Sequence, residues 1–392
     1  MRIGLALSGG GFRATVYHLG VLARLAHENR VEDVTLLSTV SGGSLCAGLA
    51  FRFSDWNWPS SRHFLGSVLP KARELLTTQD LQHGLIWRIL ASPLRAFETR
   101  ADDLSILLQE RWGITAKLSD LAAHPRWLIN ATCYETGRNW RFERFRMGDY
   151  RFGYSRDTNI PLSDAMAASA GFPGLIGALA LDASRHAWFR YSDAARELGE
   201  PLDPDEDLKR SVEPYTPAFP VVHLWDGGIY DNLGLEGLHN FVMGWREGVD
   251  FLIASDACGR PKIEAYQPGW KAANRIISGV MMDQIRSLRS RAILERFINH
   301  QDPGVLLSID NTCQDILGYA KSEEAEALCM QCLSAEEARR AATMETAIRR
   351  LTQEEYERLF RHGFEVADYT LYAYHGDQFG YIGYGNAFNQ QH

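Results

Sequence analysis

Ile3–Leu7 is a short, wholly apolar run cut off by Ser8-Gly9-Gly10-Gly11. An unbroken apolar stretch of this length fits a strand buried on both faces of a parallel sheet. Over residues 12–26 the period changes, and Val16, Leu19, Ala23 and Ala26 fall on one face of a helix. Residues 34–40 form a second apolar, β-branched run. The first forty residues therefore predict a βαβ unit with parallel pairing and a right-handed crossover. Both glycine-rich turns, at 8–11 and 41–43, then lie at the carboxyl edge of the sheet, where open α/β sheets bind ligands.

From Trp56 to about Ile114 the strand pattern stops. Residues 62–77, 81–95 and 102–112 read as helices rich in apolar and aromatic side chains, with Pro70 and Pro93 expected to kink or shorten the first two. This helical insertion, about 56–114, either covers the core or forms a lid or lipid-facing surface. Further on, 127–134 and 140–145 predict a hairpin across Glu135-Thr136-Gly137-Arg138. Residues 164–170 predict a short helix ending at Gly171-Phe172-Pro173-Gly174, and 187–217 an exposed loop. Strands are expected at 221–225, 249–254 and 305–309. Helix is expected over 235–242, 270–297 and most of 335–369, and the aromatic, glycine-rich tail from 371 shows no preference.

Composition narrows the picture without deciding it. With 392 residues, 45% hydrophobic and 23% charged, the chain is an ordinary globular protein with ample length for a core. A formal net charge of −8 and no basic run argue against a nucleic-acid partner. Six cysteines spread thinly form no disulfide framework and favour a reducing compartment. The initial apolar run is too short for a signal peptide, and no later stretch approaches a membrane span. A cytoplasmic protein is expected, with peripheral membrane contact left open.

The candidate chemistry sits at the two turns and at one later strand end. In Ser38-Thr39-Val40-Ser41-Gly42-Gly43-Ser44, Ser41 stands where a strand turns sharply into a helix. Such a turn exposes a hydroxyl beside the amides and positive dipole end of that helix; an N-cap serine is the plainer reading. Gly9, Gly10 and Gly11 offer backbone amides unobstructed by side chains, and Arg13 adds positive charge beside them, as a developing oxyanion requires. Gly9-x-Gly11-x-x-Ala14 also fits a loose dinucleotide-binding pattern. That reading demands an acidic residue at the end of the second strand, and none is there.

A serine nucleophile needs a base. His18 lies within the first helix, His223 should face the opposite side of its strand from Asp226, and His239 sits in the expected helix 235–242. Asp226, ending an apolar strand and followed by Gly227-Gly228, is the better candidate. Asp256 competes from another strand end without the double glycine. Cys329-Met330-Gln331-Cys332 is a lone C-x-x-C, and Cys313 with a distant histidine is a poor complement for zinc.

Taken together, Ser8-Gly9-Gly10-Gly11-Phe12-Arg13, Val40-Ser41-Gly42-Gly43-Ser44, Ala167-Ala168-Ser169-Ala170-Gly171-Phe172-Pro173 and Asp226-Gly227-Gly228 resemble the patatin-like phospholipase family in order and spacing. The resemblance covers residues 1 to about 260. It implies a three-layer α/β/α fold with a mostly parallel sheet, and a mainly helical region at 261–392 is expected to pack on the same core. It further implies a Ser41–Asp226 dyad without histidine, an oxyanion loop at Gly9–Gly11, and hydrolysis of acyl esters of phospholipids or related lipids with no metal or other cofactor. The family's turn usually begins with glycine where this chain has Thr39, so a wider elbow is expected. Ser8 and Ala14 replace residues that many relatives carry as aspartate and glycine. A lipid-binding scaffold on an inactive hydrolase fold is the rival reading.

Overall fold

The computed structural model describes residues 1–91, 100–173, 176–197, 201, 203–240, 244–259, 263–318 and 322–388. Pro93, Gly174 and Val242, which mark three of the expected elements, lie outside the described residues. In chain order the strands are β1 (Ile3–Leu7), β2 (Val34–Thr39), β3 (Arg126–Cys133), β4 (Arg138–Phe142), β5 (Met147–Asp149), β6 (Gly153–Ser155) and β7 (Leu179–Asp182). They continue as β8 (Trp188–Tyr191), β9 (Val212–Tyr215), β10 (Val221–Asp226), β11 (His239–Asn240), β12 (Gly244–Trp245), β13 (Phe251–Asp256) and β14 (Gly304–Ser308). All but the small β11–β12 pair belong to one sheet, ordered β14-β13-β1-β2-β3-β4-β5-β6-β8-β9, with β10 attached to β3 and β7.

The sheet has two halves. From β14 to β3 every pairing is parallel, and from β3 to β9 every pairing is antiparallel. β3 is the seam, and it runs past the end of its parallel neighbour. One of its edges is taken by β4 over 129–133. On the other edge β2 pairs with 126–129 and β10, antiparallel, with 131–133. β2 and β10 therefore lie end to end along one edge of β3, their carboxyl ends facing each other: Thr39 is level with Ile129 and Asp226 with Ala131. Two residues of strand separate these levels, about 7 Å.

Helices cover both faces of the parallel half. Helix α1 (Gly11–His27) is buried over nearly its whole length because it lies between the sheet and the long helix Gln353–His375. The two helices cross at Gly20 and Gly363, where an added methyl would overlap the carbonyl of Phe360 or of Tyr17. Arg24 and Asp368 form a buried ion pair across the same contact. His362 on that long helix meets the Ile309 carbonyl at 2.7 Å and so ties it to the end of β14. On the opposite face Leu36, Leu128, Leu252 and Ala254 pack with Leu233, Leu235, Leu238 and Ile293. This is a three-layer α/β/α arrangement, and residues beyond 260 contribute both a strand and a covering layer to it.

Several expectations are corrected. Residues 187–217 are not an exposed loop; they hold β8, β9 and the helix Pro204–Lys209, and Trp188 packs among Trp140 and Phe152. The expected helix at 235–242 is a 3-10 turn, Leu235–Gly237, followed by β11. Helix over 335–369 is interrupted: Ala335–Ala342 ends, and an irregular segment passes the glycine loop before Gln353–His375 begins. The insertion (Ser61–His63 through Leu69–Thr78, Leu81–Ala91 and Arg100–Trp112) places Phe64, Val68, Leu76, Leu104, Leu108 and Trp112 in the main core, as the core-covering reading expects, and leaves Ile86 and Trp87 exposed. Pro70 lies inside a continuous helical run over 61–78, directly after a π-helical turn at Phe64–Val68, so the helix is distorted there and not ended.

Candidate active site

Ser41 joins β2 to helix α2 (Gly42–Arg52) with φ +50° and ψ −115°, a conformation a non-glycine residue adopts only when its surroundings hold it there. They do so through backbone and side chain. Val40 donates its N–H to the Leu7 carbonyl at 3.0 Å, and Gly43 to the Ser8 carbonyl at 3.1 Å, fixing the turn against β1. The Ser41 N–H donates to the Ser169 hydroxyl at 3.0 Å. That hydroxyl is 2.8 Å from Ser44 Oγ, which is 2.8 Å from Thr39 Oγ1, which accepts the Trp127 indole N–H at 2.9 Å. Thr39 thus has a place for its side chain: the hydroxyl is one link in a buried chain from β3 to the Ser41 amide.

The loop Ser8–Gly11 passes directly beside this turn. A methyl at Gly9 would lie 3.2 Å from Ser41 Cβ and would overlap the Asn232 side chain, so only glycine lets the loop approach. Gly10 and Gly11 have φ of +140° and +59°. The Gly9 N–H is spent on the Asn232 carbonyl at 3.1 Å, whereas Gly10 and Gly11 have no backbone acceptor among the described residues. Helices α1 and α2 both begin here, so two positive dipole ends converge on the Ser41 hydroxyl. Arg13 lies behind the loop, buried, its Nε donating to the Ala257 carbonyl at 3.2 Å and Nη1 to the Met344 carbonyl at 2.6 Å. Phe12 N–H reaches the Ala347 carbonyl at 2.9 Å. The irregular segment after Ala342 is therefore what holds the loop from outside.

Asp226 ends β10 opposite the Ser41 turn. It is 3% exposed; Oδ1 accepts the Gly228 N–H at 2.7 Å, and the Ser41 hydroxyl is near enough to bear on its ionisation. Burial, the dominant influence, raises its pKa from 3.8 to about 7, while the Gly228 amide and the Ser41 hydroxyl pull it back down. Its backbone is anchored by the block 167–173: Asp226 N–H donates to the Gly171 carbonyl at 3.1 Å and Gly227 N–H to the Ser169 carbonyl at 3.2 Å. Ser169 therefore holds both partners, one through its hydroxyl and one through its carbonyl.

The competing bases are placed elsewhere. His18 is buried between the Ser8 carbonyl and Ser255 Oγ, each at 2.9 Å, and burial lowers its pKa to about 4. His223 points to Glu135 at 2.7 Å on the other face of β10. His239 packs edge-on to Trp245, its pKa likewise lowered by burial to about 4. Asp256 is occupied by Arg286 at 2.8 Å and by the Cys258 N–H at 2.9 Å. Ser169 and Asn232 were not singled out from the sequence. Asn232 closes the Asp226-Gly227-Gly228 turn and locks the glycine loop with its carbonyl, and its nearness to that motif is the signal that could have found it.

A sequence profile described as patatin-like phospholipase matches residues 5–239, well over half of the chain, and the chain belongs to that family. No curated protein matches it. Among solved structures, human GIVD cytosolic phospholipase A2 is similar at 16% identity with a TM-score of 0.50, covering 93% of this chain and 60% of its own. VipD from Legionella pneumophila is similar at 12% identity with a TM-score of 0.36, covering 93% of this chain and 66% of its own. The chain thus spans about three-fifths of the length of the human enzyme, and that likeness is one of fold.

Proposed function

We propose that the chain hydrolyses fatty-acyl ester bonds of phospholipids or related acyl lipids, with Ser41 as nucleophile and Asp226 as its base. The observation that carries this reading is the burial of Asp226 beside the Ser41 turn, where β2 and β10 end against each other, with its carboxyl pKa raised to about 7. A base poised near neutrality can take a proton and return it within one cycle. Asp226 accepts the Ser41 hydroxyl proton as Oγ attacks the acyl carbonyl. The oxyanion forms against the Gly10 and Gly11 amides at the mouths of two helices, with the Arg13 charge behind them. Gly9 contributes by having no side chain, since its amide is already used. The proton on Asp226 passes to the leaving alkoxide. Asp226 then activates water, which releases the fatty acid from Ser41.

The substrate is a component of a membrane, and one surface fits that source. The helical stretch from Trp270 to Asn299 leads into β14, so it runs from the carboxyl edge of the sheet toward the amino edge. Arg286 marks the carboxyl edge by its contacts with Asp256 and the Cys258 carbonyl. Residues before it project beyond that edge, on the side of Ser41. There Trp270, Ile276, Ile277, Val280 and Met281 are all exposed, with Lys271 and Arg275 among them. Apolar side chains interleaved with basic ones suit the interface of an anionic bilayer. Among the described residues no helix is long and apolar enough to cross a membrane.

Products released from a mixed-lipid extract, read by mass spectrometry, test the reading. Wild type should release free fatty acid and a lysolipid or alcohol that Ser41→Ala does not. Equal product profiles would favour the lipid-binding scaffold. Ile277→Glu with Val280→Glu should lower hydrolysis of vesicle lipid while sparing a soluble short-chain ester.

A further inference from the structure

Away from the proposed dyad, three of the six cysteines come together in the C-terminal region. Cys313 opens the short helix that follows β14, Cys329 ends the helix Glu323–Cys329, and Cys332 lies in the turn after it. The Cys313 and Cys329 sulfurs are 2.8 Å apart, closer than the van der Waals contact of two sulfur atoms. The Cys332 thiol also interacts with Cys313 and lies 3.6 Å from the Tyr381 hydroxyl. Cys313 is buried, whereas Cys329 and Cys332 are half-buried and open to a small reagent. Among the described residues no group of three or more histidine, cysteine, aspartate or glutamate side chains is arranged to hold a metal ion. Cys46, Cys133 and Cys258 are buried, away from a small reagent in solution.

We propose that Cys313, Cys329 and Cys332 form a reversible dithiol–disulfide site that reacts with low-molecular-weight disulfides. The Cys329 thiolate attacks one sulfur of the small disulfide, forming a mixed disulfide and releasing one small thiol. Cys313, already in contact with Cys329 Sγ, then displaces the second small thiol and closes the Cys313–Cys329 bond. The chain loses two protons and two electrons, and one small disulfide gains them to become two thiols. Cys332 is the alternative partner, within reach of Cys313 when Cys329 is absent. The neighbouring Cys332 thiol and burial raise the pKa of Cys313, and burial raises that of Cys329, so the reaction is slow near neutrality and quickens as pH rises. The bond joins the segment after β14 to the helix Glu323–Cys329. The chain then passes through Leu333, whose N–H is held by Glu365 at 2.8 Å, toward the residues that support the glycine loop. Cross-linking restrains this region in the unfolded chain.

The test is incubation of the full chain with oxidised glutathione at about pH 8, near the ordinary thiol pKa, followed by thiol counting and peptide mass mapping. The six free thiols of the reduced chain should fall to four, two being consumed, with the missing pair mapped to Cys313 and Cys329. The thermal midpoint should rise, and dithiothreitol should restore six thiols and the original midpoint. Cys329→Ser should move the cross-link to Cys313 and Cys332, and Cys313→Ser should form none. Circular dichroism of the reduced variants separates this result from misfolding. The proposal is overturned if six thiols persist, if the pair maps to Cys46, Cys133 or Cys258, if oxidation stops at a glutathione adduct, or if one equivalent of zinc occupies the three thiols.

Discussion

In the parallel half of the sheet, the Ser41 turn follows the rule for open α/β folds: strand, sharp turn at the carboxyl edge, helix. In the antiparallel half, Asp226 reaches the same place by the opposite route. Its strand descends along the overhang of β3 until it meets the end of β2. The first residue is held by a strained turn, the second by burial at the end of a strand. A serine in an open turn would be hydrated and an aspartate at an ordinary strand end would titrate near 4. Head-to-head placement buries both, which is the basis for proposing them as partners. The comparison with Asp256 makes the point, because that residue ends a parallel strand and is neutralised by Arg286 instead.

The largest test of this contrast sets the two aspartates against each other. Asp226→Ala should lower kcat for an acyl ester by about 10⁴-fold or more, as expected for a residue acting in the transition state. Asp256→Ala should stay within roughly tenfold of wild type, its loss appearing as lowered stability because Arg286 loses its most buried carboxylate partner and keeps only Asp283. Steady-state kinetics of the two folded variants decide it.

Stability against pH gives the next effect. Asp226 has a folded pKa of about 7 against 3.8 ordinarily, so its contribution to stability is fully present below about pH 4 and is lost as pH rises through 7. Asp226→Asn removes that loss. The variant should be more stable than wild type at pH 9, by on the order of 4 kcal/mol at most at about 1.4 kcal/mol per unit, and the gain should vanish toward pH 4. Denaturant melts across this range would show a pH-independent difference if Asp226 were not the titrating group.

Ser169→Ala should destabilise by about 1–3 kcal/mol, the cost of a buried donor left without its acceptor. It should also lower kcat more than it raises KM, because the Ser41 amide loses its anchor. Smaller still is Thr39→Gly, which restores the residue usual in the family. It removes the acceptor of the Trp127 indole and should cost roughly 1 kcal/mol. Its effect should be coupled to that of Ser44→Ala in a double-mutant cycle by at least about 0.5 kcal/mol. Additive effects would mean the hydroxyl chain does not act as a unit.

Much of the parallel half was legible from Ile3–Leu7, the two glycine turns and the apolar 249–254, because fully buried strands leave continuous apolar runs. The antiparallel half was not. β8 is only four residues long, β9 contains Pro214, and both are set in polar sequence that reads as loop, while their pairing partners lie far along the chain. Thr39 looked like a misfit because its partners Trp127 and Ser44, and Ser169 beyond Ser44, come from three separate elements. Asp226 was recognisable by its motif, yet its approach along β3 depends on register, which no local pattern encodes.

If Asp226 is the base, its ionisation must control the reactivity of Ser41. The decisive measurement is the rate at which a fluorophosphonate labels Ser41, followed by peptide mass from pH 5 to pH 9 (a range bracketing the value of about 7). We predict a rate that rises about tenfold per pH unit below 7 and levels above it, and that is lost in Asp226→Asn. Labelling that persists in Asp226→Asn with the same pH dependence, and that disappears instead with His18→Gln or His239→Gln, would contradict the assignment.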